Sequence, residues 1–431
     1  MSRPTARPYD RRVPQPARHE LLPRPRGPRH ARALHGHSLL RGVALGLTTV
    51  LLFGVSAVAF LGQRLNSNID HMDVASLMGG PAPTNGTTPT QDPDPVDPSG
   101  GRAVNILVLG SDQRDGENGA IGGEDPSMAS DTTIVVHISA DRSRVELVSI
   151  PRDSLVDIPS CVASNGTTTG AAKHAMFNKA FAIGWQAGGD LASAAACTGR
   201  TVQQNTGLTI DHFVVVDFSG FMAMVNAVDG VDICIPEAMR DTYIPLDLQP
   251  GQQTLDGYQA LQFARSRHNN VGNGGDLDRI GNQQRLIAAL VNQVLSRDVL
   301  TNPGKITGFL SAATSSLTVD NGLDLVDMTG LAYSLRSIRS GDIVFMTIPV
   351  AAAPEDRNRL VWSSAAKDVW ANMVADQPVA PEVVAPPAVE TPTGAPTAGV
   401  TAPTVPQPVP GQTREAGKEP FTGADTTAVC G

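Results

Sequence analysis

Gly42–Gly62 (GVALGLTTVLLFGVSAVAFLG) runs for 21 residues without a charge, and no other stretch limits so strongly what this chain can become. A helix of that length crosses a hydrocarbon core of about 30 Å. The apolar region of a cleaved secretory leader is shorter and ends at a small-residue processing site, which does not stand out here. Residues 42–62 are therefore expected to form one retained transmembrane helix. The arm before it, residues 1–41, holds ten arginines against Asp10 and Glu20, a local charge of +8 that leaves −17 for the rest of a chain with net charge −9. Arginine on one side and little basic charge on the other places the N-terminus in the cytoplasm and everything after Gly62 on the outer, cell-wall side. A basic arm also suits nucleic acid. This one lacks a helical readout pattern and precedes an acidic, external domain, so no nucleic-acid partner is expected.

Composition divides the chain beyond Gly62 into three parts. Residues 63–101 read as a juxtamembrane segment and a Pro/Gly/Thr-rich linker, and residues 377–431 as a Pro/Thr/Ala-rich disordered tail. Between them, 102–376 is long enough for one substantial core. Val104–Leu109, Thr132–Ser139, Val145–Ile150, Phe213–Phe218, Val231–Ile235 and Ile343–Pro349 are apolar, β-branched runs of strand length. Helices are expected over Lys173–Gly184, Asp190–Asn205, Ser219–Val228, Leu255–Arg265, Arg279–Leu295, Pro303–Leu317, Leu323–Ile338 and Asn358–Ala375. The alternation implies an α/β domain with helices on both faces of its sheet. The four cysteines form no CxxC pair, which argues against a zinc ribbon or a dithiol redox centre. Outside the cell a disulfide is the default, with Cys161–Cys197 the preferred pair.

Charged residues gather at the ends of the apolar runs. Asp112 follows the first strand in NILVLGSDQR, Asp131 precedes the next in SDTTIV, and Arg152 and Asp153 end SIPRDS. Arg265, Arg267 and Arg279 flank the turn between LDGYQALQFARSRH and GDLDRIGNQQ. Carboxylates with loop freedom suit a hard divalent cation, and guanidinium forks match pyrophosphate oxygens. Each aspartate alone could equally cap a turn. Other motifs are missing: there is no GxxxxGK[ST], HExxH or GxSxG, and Asp276-Leu277-Asp278 is too short to carry a DxD metal site.

These stretches, with KHAMFNKAF and in this order after one N-terminal anchor, resemble the LytR-CpsA-Psr family of cell-wall enzymes of actinobacterial type, over roughly residues 102–375. The resemblance implies a central mixed β-sheet flanked by helices on both faces. It also implies a phosphotransferase that moves a glycopolymer, such as arabinogalactan or a teichoic or capsular type, from a polyprenyl-pyrophosphate carrier in the cytoplasmic membrane to peptidoglycan through a phosphodiester. Magnesium would sit at Asp112 and Asp131. Pyrophosphate contacts would come from Arg152, Arg265, Arg267, Arg279 and Gln283, with Arg114 standing in for an arginine that many members carry where this chain has Ala129. Asn282 replaces a second family arginine. Asp153 reads either as a general base or as a group that orients an arginine. Phe177, Phe181, Phe213, Phe218, Phe221 and Met224 would line a lipid cavity or belong to the ordinary core. The alternatives are a polyprenyl-pyrophosphate phosphohydrolase, a membrane-anchored transcriptional attenuator and a non-catalytic polymer-binding module.

Overall fold

The computed structural model describes residues 37–79, 95–111, 128–271, 275–379 and 415–425. Two units divide within the first helix, Met1–Phe60 and Leu61–Gly431. That helix, α1, spans His37–Asn68. Its stretch Gly46–Asn68 has a mean hydropathy of 1.7 and is, by length and composition, long and apolar enough to cross a membrane.

The strands of the second unit are β1 Asp70–Met72, β2 Val104–Ser111, β3 Ser130–Ile138, β4 Val145–Ser149, β5 Leu155–Ile158, β6 Ala172–Met176, β7 His212–Val216, β8 Val231–Ile235, β9 Met239–Arg240, β10 Asp247–Leu248, β11 Gly251–Leu255, β12 Leu317–Asp320, β13 Ile343–Thr347, β14 Val350–Ala352, β15 Leu360–Trp362 and β16 Phe421–Thr422. Helices after α1 are α2 Ala75–Met78, α3 Lys179–Gly188, α4 Leu191–Thr206, α5 Phe218–Ala227, α6 Gly257–Arg265, α7 Asp276–Val294, α8 Arg297–Leu300, α9 Pro303–Thr314, α10 Leu325–Ser334 and α11 Ser364–Val374.

Eight strands make the central sheet in the order β1-β12-β7-β2-β3-β4-β13-β16. It is mixed: β2 lies antiparallel to β3 but parallel to β7, and β4 parallel to β13. Side chains alternate between its faces, as a period of two requires. Leu107, Leu109, Val135, Val148, Phe213 and Met346 point one way, into a core closed by α2, α3, α4 and α11. Val145, Leu147, Ile343 and Phe345 point the other way and pack on Ile287, Ala288 and Val291 of α7. Helices thus cover both faces. α5, α6 and α7 share a further core with the β8–β11 hairpin.

The strongly apolar runs form strands where expected, and the differences arise where distant partners decide. Lys173–Met176, read as the start of a helix, belongs to the strand Ala172–Met176 because it pairs with β5; pairing outweighs the local propensity of this short segment. In the same way, Leu360–Trp362 pairs with β14 before α11 begins. The juxtamembrane segment belongs to the folded unit: β1 joins the sheet beside β12, and Val74 is fully buried. Nor is the whole tail loose. Thr422 and Phe421 pair with Val344 and Phe345, and the Phe421 ring stacks on Phe345 at 5.1 Å.

Cys161 and Cys197 are disulfide-bonded with their Cα atoms 5.3 Å apart, tying the loop after β5 to α4. Closing a loop of 36 residues stabilises by roughly 3–4 kcal/mol in the chain-entropy model. Cys234 is also in a disulfide.

Candidate active site

The ends of β2, β3 and β4 and the start of α7 converge at one rim of the sheet. Ser111 pairs with Ser130 across the antiparallel β2–β3 ladder, with a register shift beside Gly110, so Asp131 stands at the point where the chain leaves β2. Irregular pairing at a strand end releases a side chain from the pleat and aims it at the rim. Arg152 comes from the turn after β4. Arg279 comes from the first turn of α7, where Asp276 is the first helical residue.

Two arginines grip Asp131. Arg152 Nη1 donates to its Oδ1 at 2.6 Å, and Arg279 Nη1 lies 3.6 Å from its Oδ2. Arg279 Nη2 also donates to the Asp131 carbonyl at 2.8 Å and to Asp276 Oδ1 at 2.5 Å. Asp276 in turn accepts from the Arg152 backbone N–H at 3.1 Å. Arg359 Nη1 donates to Asp153 at 3.2 Å, and Asp153 lies 3.9 Å from Arg152 Nε.

Burial sorts these groups. The Arg279 side chain is 3% exposed and that of Asp276 4%, whereas Arg152 is 19% and Asp131 38% exposed. Arg279 and Asp276 therefore form a buried base, and Arg152 with Asp131 the accessible edge. Desolvation pushes the Asp276 carboxyl above its ordinary range, against the pull of Arg279 and Arg152. Asp153 is raised too, first by desolvation and then by the neighbouring Asp276 charge. Arg152 and Arg279 each keep a buried Nε without a hydrogen-bond partner, at a cost of about 1–3 kcal/mol per donor.

The second arginine group stands on α6. Its N-terminus carries a capping box, with Asp256 accepting from Gln259 N–H while Gln259 returns the bond, so the FARSRH end has a fixed origin. Past the other end, Asp241 accepts from Ser266 Oγ at 2.8 Å and from the N–H groups of Arg267 and His268 at 3.1 and 3.0 Å. Arg265 stacks over Phe218 with its guanidinium carbon 4.7 Å from the ring centroid. Gln283 of α7 donates to the Ala264 carbonyl at 3.2 Å, so it joins α6 to α7.

Over residues 82–375 the sequence matches the LytR_cpsA_psr family. The chain belongs to the LytR-CpsA-Psr family. It is 32% identical over 334 residues to a cell wall biosynthesis protein, LcpA, of Corynebacterium glutamicum, an alignment covering 74% of this chain and 61% of that protein. A probable cell wall biosynthesis protein of the same organism, LcpB, is 33% identical over 270 residues, covering 61% and 58%. The chain thus spans about three fifths of these relatives' length. A solved Streptococcus agalactiae protein, 21% identical, shares the fold with a TM-score of 0.50 over 64% of this chain and 88% of its own.

Within this LytR-CpsA-Psr chain, Asp131, Arg152, Asp153 and Arg279 form one constellation, and Arg265, Arg267 and Gln283 mark the α6–α7 wall. Asp112 and Arg114 lie outside the described residues. Two groups escaped sequence reasoning. Asp276 looked like half of a chance DxD, although an acid at a helix start three residues before an arginine is a recognisable signal. Arg359 belongs to no motif.

Asn282, buried at the face of α7, lines a cavity of about 220 Å³ with Arg285 and the C-terminal segment at Ala416. Burial lowers the Arg285 guanidinium to about 10. The proposed lipid-lining residues do not share one cavity. Phe177, Phe181 and Phe213 are core on one sheet face, and Phe221 packs into the separate α5–α7 core.

For a divalent ion, no group of three His, Cys, Asp or Glu forms a cage among the described residues. Asp131 is the one carboxylate of the cluster with an open face. A single carboxylate or a pair is enough for an ion that keeps waters and takes further oxygens from a phosphate, so the donor set fits magnesium.

Proposed function

We propose that this chain is a membrane-anchored phosphotransferase that moves a cell-wall glycopolymer from a polyprenyl-pyrophosphate carrier to peptidoglycan, with its N-terminus in the cytoplasm and its folded unit on the wall side. The observation that carries this reading is the cluster in which two arginines converge on the half-open carboxylate of Asp131, inside the segment matched by the family. The arginine-rich arm and the apolar helix support the orientation.

Magnesium at Asp131, with Asp112 from the segment after β2, would neutralise pyrophosphate charge and act as a Lewis acid. Arg152, at the accessible edge, exchanges its carboxylate partner for non-bridging phosphate oxygens, and Arg265 and Arg267 meet them from the α6 side. Arg279, too buried to reach substrate, acts through Asp131 and Asp276 as a positioning residue. A peptidoglycan sugar hydroxyl attacks the polymer-linked phosphorus as its bond to the bridging oxygen breaks, and polyprenyl phosphate leaves. Asp153, whose carboxyl is raised by desolvation and the nearby Asp276, takes the hydroxyl proton as its carboxylate, and Arg359 fixes its orientation. Positioning and charge stabilisation carry most of the rate in such transfers.

The test is to incubate the detergent-solubilised full chain with magnesium, a polyprenyl-pyrophosphate glycan and a peptidoglycan oligomer. Phosphodiester-linked product with polyprenyl phosphate is expected. Phosphate-terminated free glycan without linked product would reassign the chain as a hydrolase.

A further inference from the structure

The rim that carries the cluster continues across the sheet, away from α7. Asp70 pairs with Thr318, Thr318 with Val215, Val215 with Leu109 and Leu109 with Thr133. These partners mark one level across the sheet. Four strand spacings therefore separate Asp70 from the β3 end that bears Asp131, a span of about 19 Å. Two adjoining cavities occupy part of that span. One of about 60 Å³ touches Ser111 and Asp217, the other of about 390 Å³ opens at His71 and Trp185, and both are lined by Asp70 and Thr318.

We propose that this groove, from Ser111 to Trp185, binds a neutral saccharide chain that extends away from the phosphate cluster. The inference rests on the transferase reading for its purpose and on the groove alone for its chemistry. An indole face stacks on the C–H face of a sugar ring, and carboxylates and hydroxyls set around it fix ring orientation through sugar hydroxyls. Trp185 is partly exposed, and Asp70 and His71 are exposed with neither side chain tied to another described residue. Asp190, by contrast, is already committed to capping α4.

Charge selects the class of ligand. Asp70, Asp190 and Asp217 line the groove, and no arginine or lysine is among its described lining residues. It therefore repels a phosphate-bearing polymer and accepts neutral or amino sugars. A polyisoprenoid tail is disfavoured by Asp70, since covering that exposed carboxylate with hydrocarbon strips its water without replacement. Two sources share this saccharide chemistry, the acceptor glycan and the sugars of the donor polymer.

Calorimetric titration of the detergent-solubilised full chain separates them, using a peptidoglycan glycan tetramer in one arm and a phosphate-free arabinan tetrasaccharide in the other. At least one should bind, and the one that does identifies the source. Trp185→Ala should weaken that binding tenfold or more, Trp185→Phe should retain most of it, and Asp70→Asn, at an exposed position that folding tolerates, should weaken it several-fold. If neither probe binds the wild type, or if both Trp185→Ala and Asp70→Asn bind as the wild type does, the groove is not a saccharide site. Because binding is read without turnover, a chain that binds but transfers nothing would remove the transferase reading and leave the groove. A chain that transfers normally while ignoring both substitutions in binding would remove only the groove.

Discussion

Two arginines at opposite ends of β3 show how differently one side chain can be used. Arg142, in the β3–β4 turn, is buried and has four of its five N–H donors engaged: its Nε donates to Asp97 at 2.9 Å, Nη1 to the carbonyls of Arg102 and Ser139, and Nη2 to the carbonyl of Ser99. It sits at a positive φ of 58°, a conformation it holds only because four fixed acceptors surround it. Arg152, at the rim, has one strong hydrogen-bond partner on the half-open Asp131, and its Nε makes no hydrogen bond, lying 3.7 Å from Asp276 and 3.9 Å from Asp153. The first arginine closes a turn around backbone carbonyls that cannot leave. The second faces a carboxylate that can exchange for a phosphate. Fixed backbone carbonyls mark the structural use of arginine, and an exchangeable carboxylate partner marks the chemical one.

That contrast can be broken by substitution. Arg152→Ala is expected to lower transfer by a factor of about 10³ or more, in the range lost with one preorganised charge-stabilising donor, while the melting temperature shifts little; near-normal transfer would sink the site assignment. Arg142→Ala should do the reverse, costing about 3–5 kcal/mol of stability because it strands buried Asp97, with specific activity of the folded fraction unchanged, as denaturant unfolding and activity per folded molecule would report. Asp97 adds a pH signature. Desolvation raises its carboxyl, but the Arg142 and Ser99 hydrogen bonds prevail and hold it below the ordinary carboxylate value. Its contribution is thus present above that ordinary value and lost as pH falls through the lowered one, so Arg142→Ala should flatten the acid side of the stability curve.

Smaller effects sharpen the picture. Asp153→Asn should reduce transfer about 100-fold, the lower end for a lost general base. The acid limb of its pH–rate profile, which for the wild type should lie above the ordinary carboxylate range because Asp153 is raised, should vanish. An unchanged limb would leave Asp153 only the task of orienting arginine. Arg152→Lys should keep charge but lose the fork, costing roughly tenfold; a complete loss would mean that geometry, not charge, dominates at the rim.

Much of this was legible in the sequence, for a physical reason. Val104–Leu109 and Val145–Ile150 place apolar residues on both sheet faces, interrupted only by Asn105, Glu146 and Ser149, so they read as interior strands, and Asp131 and Arg152 stand out at the ends of such runs. What escaped has its cause elsewhere in the chain. β1 is three residues, two of them polar, and exists because β12 lies beside it. β16 is two residues in a segment of turn-like composition, held by Phe345 and by Gln284, whose Oε1 accepts from Gly417 N–H at 3.0 Å. Asp276 acquires meaning only beside Arg152, 124 residues away in sequence.

The crossing of Gly417 over Gly281 has a practical consequence for anyone preparing this protein. A Cβ on Gly281 would lie 2.5 Å from the Ala416 carbonyl oxygen, and one on Gly417, at φ +87°, 2.5 Å from that of Leu277. The C-terminal segment is thus fitted to α7 at backbone contact. A recombinant version trimmed after residue 376, where composition alone would place the last folded residue, would uncover Phe345 and bare the β13 edge. Unpaired apolar edges recruit one another, so such a protein would be expected in inclusion bodies, and a version carried through Asp425 in the membrane fraction, extractable by detergent as a folded chain.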